Sequence, residues 1–146
     1  MKILRLFLVT LSLGLSVSCK KHSAKIYDQL YKMEMAYSTN DIRAAERSLL
    51  DYLKLLSQEE SNSVKGLDYD MGRAITHARL FLIYRKLGDT NNVELHFREW
   101  LENLGRFDKR NNLPPPELTQ EILAEKMDRF DKDLNVRWKT NTTITR

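Results

Sequence analysis

Cysteine is almost missing from this chain: Cys19 is the only one in 146 residues. One thiol forms no internal disulfide and builds no multi-cysteine zinc or iron–sulfur site. Glycine and proline are scarce, at five and three residues, which excludes collagen-like repeats and proline- or glycine-rich linkers. The three histidines include no HExxH pair, and there is no glycine-rich phosphate loop or serine nucleophile elbow. A surplus of one charge is also lacking, with 24 basic and 20 acidic side chains. Two of the basic residues, Lys2 and Arg5, belong to an N-terminal segment that reads as a cleaved signal. Without them the count is 22 against 20, too even for a nucleic-acid-binding face. What remains is a globular balance, 42% hydrophobic and 30% charged, of a length that suits one domain.

The N-terminus carries the most directional signal. Lys2 and Arg5 precede an uncharged, largely apolar stretch from Leu6 to Val17. That stretch is shorter than the roughly 20 residues a bilayer-spanning helix needs. Ser16 and Ser18 then place small side chains at −3 and −1 before Cys19. Basic, apolar, small-x-small is the order of an export signal cleaved after Ser18. The Leu15-Ser16-Val17-Ser18-Cys19 stretch resembles the lipobox of bacterial lipoproteins. The resemblance implies a diacylated Cys19 as the mature N-terminus and a membrane anchor. Ordinary signal cleavage at the same bond, leaving a free thiol, is the alternative. Residues 19–23, with Lys20, Lys21 and His22, form the tether.

From residue 24 onward the apolar spacing is helical, with no sustained alternation of period two. Ile26, Leu30, Met33 and Tyr37 define a first helix over Ala24–Ser38. Thr39-Asn40-Asp41 breaks it. Ile42, Ala45, Leu49, Leu53 and Leu56 define a second helix over Ile42–Ser57, with Leu50 and Leu55 widening its buried face. Gln58–Gly66 reads as a polar loop. A third helix spans Asp68–Leu87, and its Ala78–Tyr84 run is apolar almost all round, which predicts a central position. Gly88 stands where a left-handed C-cap belongs. The fourth helix runs to Leu104 with Gly105 as its stop, followed by a charged loop over Arg106–Asn112. Leu113-Pro114-Pro115-Pro116 is a stiff connector, with Pro116 placed to open the fifth helix. That helix carries Leu123, Met127, Phe130, Leu134 and Trp138 on one face. Lys139–Arg146 is expected to be a disordered tail.

The two helix pairs are similar units. In the second, Leu80, Tyr84, Gly88, Val93 and Phe97 are spaced four, four, five and four, and the string LFLIYRKLGDTNNVELHF resembles a tetratricopeptide repeat. The first pair matches through Asn40, Ala45 and Leu49, with Ala36 in place of the tyrosine. Asn40 to Gly88 is 48 residues, against the ~34 of the standard repeat. The expected fold is all-α: a short array of two tetratricopeptide-like hairpins over residues 24–138, capped by the C-terminal helix. In that family the first helix of each unit lines a concave partner surface. By position this implies Tyr27, Leu30, Glu34 and Tyr37 on the first helix, and Ile75, Ala78, Leu82, Arg85 and Lys86 on the third. Leu30, Ile75, Ala78 and Leu82 serve equally as core. Tyr27, Tyr37, Arg85 and Lys86 are the preferred partner-binding residues, because aromatics and arginine carry binding energy at interfaces.

Other chemistry has simpler readings. His77 is expected to be a half-buried packing residue and His96 to face solvent. Asp131-Lys132-Asp133 imitates the start of a calcium loop, but Val136 and Thr142 stand where glycine and glutamate are needed. Glu59-Glu60 and Asp68-x-Asp70 read as solvated loop charge and helix N-terminal charge. Asn141-Thr142-Thr143 is a glycosylation sequon that a bacterial lipoprotein would not use. No cofactor and no metal are expected. The functional expectation is an exported, membrane-anchored, non-enzymatic protein–protein interaction or scaffold module of the cell envelope, its partner unidentified. A small envelope enzyme or inhibitor with a site assembled from scattered residues, or a structural subunit of an envelope assembly, are the alternatives.

Overall fold

A computed structural model of the chain describes residues 23–39, 41–62, 67–115 and 118–133. These form five helices and, among the described residues, no strand. They are α1 (23–38), α2 (Ile42–Glu59), α3 (Tyr69–Leu87), α4 (Thr90–Arg110) and α5 (Gln120–Asp133), with a 3₁₀ turn at Glu60–Asn62 after α2. The all-α expectation holds. Cys19, Asn40, Pro116 and the stretch from Leu134 to Arg146 lie outside the described residues, as does the side chain of Phe130.

Local chemistry explains the boundaries. The Asp41 carboxylate accepts the amides of Arg43 and Ala44, that of Asp68 accepts Met71, and that of Asp89 accepts Asn92. Each satisfies an orphan donor in the first turn of α2, α3 or α4. Thr119 starts α5 in the same way, so the helix opens at Gln120. Gly88 closes α3 at φ 72°, the left-handed conformation that glycine adopts without a Cβ penalty.

From α1 to α4, neighbouring helices in sequence are antiparallel. Lys25 at the start of α1 pairs with Glu59 at the end of α2, at 2.9 Å. The Tyr69 hydroxyl at the start of α3 donates to the Glu59 carbonyl at 2.8 Å, and Tyr84 near its end donates to Glu46 near the start of α2. Arg110 at the end of α4 pairs with Asp70 at the start of α3. Two clusters fill the interior. One joins Ile26, Met33 and Tyr37 of α1, Ala45, Leu49, Tyr52 and Leu56 of α2, and Leu80 and Ile83 of α3. The other joins Ala74, Ala78, Phe81 and Leu82 of α3 to Trp100 of α4 and Leu123, Ala124 and Met127 of α5. α3 contributes to both, so every residue from Ala78 to Tyr84 is buried. Each fully buried Leu or Phe is worth about 1.5–3 kcal/mol, which makes α3 the main source of cohesion.

Three sequence expectations are corrected. Gly105 does not stop α4, which continues to Arg110. The charged Arg106–Arg110 segment is helical because Arg106 and Arg110 reach back to Asp70 and Asp68. α2 runs to Glu59 and continues as a 3₁₀ turn, where a loop was expected from Gln58. Leu50 is 41% exposed, so it does not widen the buried face of α2.

The two glycines give opposite tests. A Cβ at Gly88 or at Gly105 meets nothing within 4 Å, so only backbone preference acts. Gly88→Ala forces a left-handed alanine and is expected to cost about 1–2 kcal/mol. Gly105→Ala lies inside a helix and is expected to stabilise by about 0.5–1 kcal/mol. Urea denaturation of the two variants checks both signs.

Candidate functional site

The structure separates the residues expected to meet a partner. Tyr27 is 53% exposed on α1. Arg85 and Lys86 are exposed in the last turn of α3, with the Lys86 ammonium 3.6 Å from Asp128 of α5. Tyr37 is the correction: it is buried in the core with Ile26 and Met33. Its place on the four-three-four stripe of α1 turns it inward, so it is not part of a free surface. Ala78 and Leu82 are buried as core, while Ile75 is exposed.

Tyr37 belongs instead to a network of buried polar groups. The Arg79 guanidinium, 2% exposed on α3, grips Glu34 of α1 through two bonds of 2.6 and 3.0 Å. It also lies 4.8 Å from the Tyr37 ring centroid, a cation–π distance. The Tyr37 hydroxyl donates to both oxygens of Asp131 on α5, at 2.9 and 3.0 Å. Burial first, and then the Asp131 charge, push the phenol far above its ordinary pKa, so Tyr37 stays a neutral donor. The network joins α1, α3 and α5. Its one sequence signal was a single arginine inside the Ala78–Tyr84 run.

A second cluster runs across α2, α3 and α4. His77 and His96 face each other with their Nδ1 atoms 2.9 Å apart. One ring must donate and the other accept, so the accepting imidazole is neutral and the two rings cannot both be protonated. His96 stacks on Tyr84, with centroids 5.2 Å apart and planes 5° from parallel. Tyr84 donates to Glu46 at 2.7 Å, and burial followed by this carboxylate pushes its phenol up to about 12. His77 is half-buried as expected, but His96 is 5% exposed, which corrects its placement towards solvent. Aromatic stacking holds it inside. Burial, then the neighbouring His96 and Arg73, lowers His77 to about 4. Burial also lowers His96, against the opposing pull of Glu46.

A third cluster closes the end of the α3–α4 hairpin. Asp70 accepts from Arg106 Nε at 3.1 Å and from Arg110 at 2.6 Å, and Arg110 also holds Asp68. Burial pushes the Asp70 carboxyl up, but the bonds from Arg110 and Arg106 outweigh it and hold it below the usual range. Glu59 is therefore a buried partner and not the solvated loop charge its sequence context suggested, while Asp70 holds the helix N-terminal place read for it and is buried there as well. Glu60 is solvated and pairs with Arg73.

The surface has two further features. A cleft of about 340 Å³ between α1 and α2 is lined by Lys25, Asp28, Lys32, Asp51, Lys54 and Leu55, among others. Tyr27, Tyr31 and Met35 project from α1 at 53%, 65% and 48% exposure. Among the described residues, no three metal-ligating side chains converge, and no helix is long and apolar enough to cross a membrane.

Two measurements probe these clusters. Tyr37→Phe leaves buried Asp131 short of a hydrogen bond and is expected to cost about 1–3 kcal/mol, read by denaturant midpoint. For the histidine pair, the unfolded chain binds protons from pH 6.5 downward while folded His77 resists until about 4. Stability is therefore complete above pH 6.5 and falls between 6.5 and 4, by up to about 3 kcal/mol through His77. His77→Asn is expected to flatten the stability difference between pH 7.5 and 4.5. No protein-family model, curated protein or solved structure matches this chain.

Proposed function

We propose that this protein is an exported lipoprotein, held at a bacterial envelope membrane through acylated Cys19, whose tetratricopeptide-like helical domain acts as a non-enzymatic protein-interaction or scaffold module. The observation that carries the reading is the N-terminal order: Lys2 and Arg5, the apolar Leu6–Val17 stretch, Ser16 and Ser18, and then the chain's only cysteine. A single exported thiol without a disulfide partner is a reactive liability unless it is modified. The described helical residues begin at 23, four positions after Cys19.

The side-chain geometry supports a binding role more readily than a chemical one. The buried charges join helices: Arg79 to Glu34, Asp70 to Arg106 and Arg110, and Glu59 to Lys25. These are structural tasks. The exposed Arg85 and Lys86 at the end of α3 suit an acidic segment or a carboxylate terminus of a partner protein.

Mass spectrometry of the mature protein is expected to find a diacylglycerol-modified Cys19 as the first residue. Cys19→Ala is expected to block cleavage at that bond and to leave the membrane-bound, processed form missing. For the partner surface, Arg85→Ala with Lys86→Ala is expected to shift stability by no more than about 0.5 kcal/mol, as for exposed charges generally. Recovery of a stoichiometric protein partner from solubilised membranes should fall at the same time.

A further inference from the structure

α1 is amphipathic twice over. Its inward stripe, Ile26, Leu30, Met33 and Tyr37, packs in the core. Its outward face carries a second apolar seam, Tyr27, Tyr31 and Met35, spaced four and four. Residues four apart on a helix stand one above another, so the three side chains make a continuous ridge more than one turn long. None of them belongs to either interior cluster. A helix packed on one side only gains nothing in stability from two tyrosines and a methionine on the other. The ridge calls for an apolar occupant that accepts phenol hydroxyls.

We propose that α1 lies flat on the surface of the membrane that holds Cys19, with Tyr27, Tyr31 and Met35 seated among the lipid headgroups; this rests on the lipoprotein reading above. The four residues' length of chain between Cys19 and the first described residue of α1, at 23, reaches at most about 14 Å whatever its conformation. The described part of α1, residues 23–38, is 16 residues long, or about 24 Å at 1.5 Å per residue. The N-terminal end of α1 is thereby kept near the bilayer, and an apolar ridge on its outer face sets which side turns down. Tyrosine suits this depth because its ring is apolar and its hydroxyl is wet. Lys20 and Lys21 lie at the anchored end and attract an anionic leaflet. Asp28, exposed beside the ridge, is neutralised by Lys32 at 2.6 Å. The result is an interfacial helix whose second contact supplements the lipid. It also fixes the orientation of the domain, directing α2 and α3 away from the bilayer.

The test uses the far end of α1, which a helix merely hanging from its tether would not bring to the lipid. Ser38 is exposed and stands two turns beyond Tyr31 on the same side. Because acylation consumes the only native thiol, Ser38→Cys introduces one labelling site in the full chain. The processed, lipidated protein carries a fluorophore there and is reconstituted in phosphatidylcholine–phosphatidylglycerol vesicles with brominated acyl chains. Arg98→Cys on exposed α4 is the control. Strong quenching at position 38, severalfold above that at position 98, supports the proposal, as does its loss when Tyr27, Tyr31 and Met35 are all changed to serine. Equal weak quenching at both positions overturns it. So does a label at position 38 that is shielded from aqueous iodide yet untouched by brominated lipid, because the ridge is then covered by a second copy or by another part of this chain. The acyl group on Cys19 is read separately by mass spectrometry. Its presence with no quenching refutes the orientation alone, while a free Cys19 refutes the anchor and the orientation with it.

Discussion

The burial of one guanidinium organises this fold. Arg79 sits on the central helix with almost no exposure, and a charge taken out of water costs several kcal/mol unless it is matched. Glu34 of α1 supplies the opposite charge with two parallel bonds, and the face of Tyr37 covers the cation. Those demands set the position of α1 on α3. Tyr37 in turn presents its hydroxyl to Asp131 of α5. One arginine therefore places both the first and the last described helix. Apolar packing alone would leave their sliding and rotation weakly determined, since Leu and Met surfaces accept several registers, whereas a bidentate ion pair accepts one.

The same division of labour recurs elsewhere. Apolar side chains draw α3 and its neighbours together, and polar groups decide how they meet. The arginine clasp on Asp70 extends α4 well past a glycine and locks the open end of its hairpin. The histidine pair and Tyr84 tie α4 to α3 and, through Glu46, to α2. With so much charge engaged between helices, the outward surfaces carry the remaining variety. They differ in kind: a mixed-charge cleft between α1 and α2, a basic end on α3, and an apolar ridge on α1.

Much of the fold was legible because helix formation here follows local rules. The α1 stripe, the α3 run and the left-handed Gly88 all depend on residues within a few positions of one another, and the structure has them as read. The errors share one cause. Glu59 and the Arg106–Arg110 segment looked like loop charge, and the burial of Asp70 was missed, because the deciding partners are distant in sequence. Their partners lie 34 residues away for Glu59, and 36 and 40 residues away for Asp70. His96 was placed in solvent for the same reason, since its neighbours Tyr84 and His77 come from the facing helix.

The sequence by itself determined that the chain is helical, where most helices begin and end, and that α3 is central. The ridge of Tyr27, Tyr31 and Met35 came from the structure, which shows all three exposed and outside the interior clusters. Only the tertiary structure decided which charges are buried, and it moved Tyr37 from a binding surface into the core. The physical reason is range. Periodicity and capping act over one or two turns of helix, and one strand of sequence contains them. The fate of a charge depends on what the fold brings within about 4 Å of it, and that distance is set only once all five helices have packed.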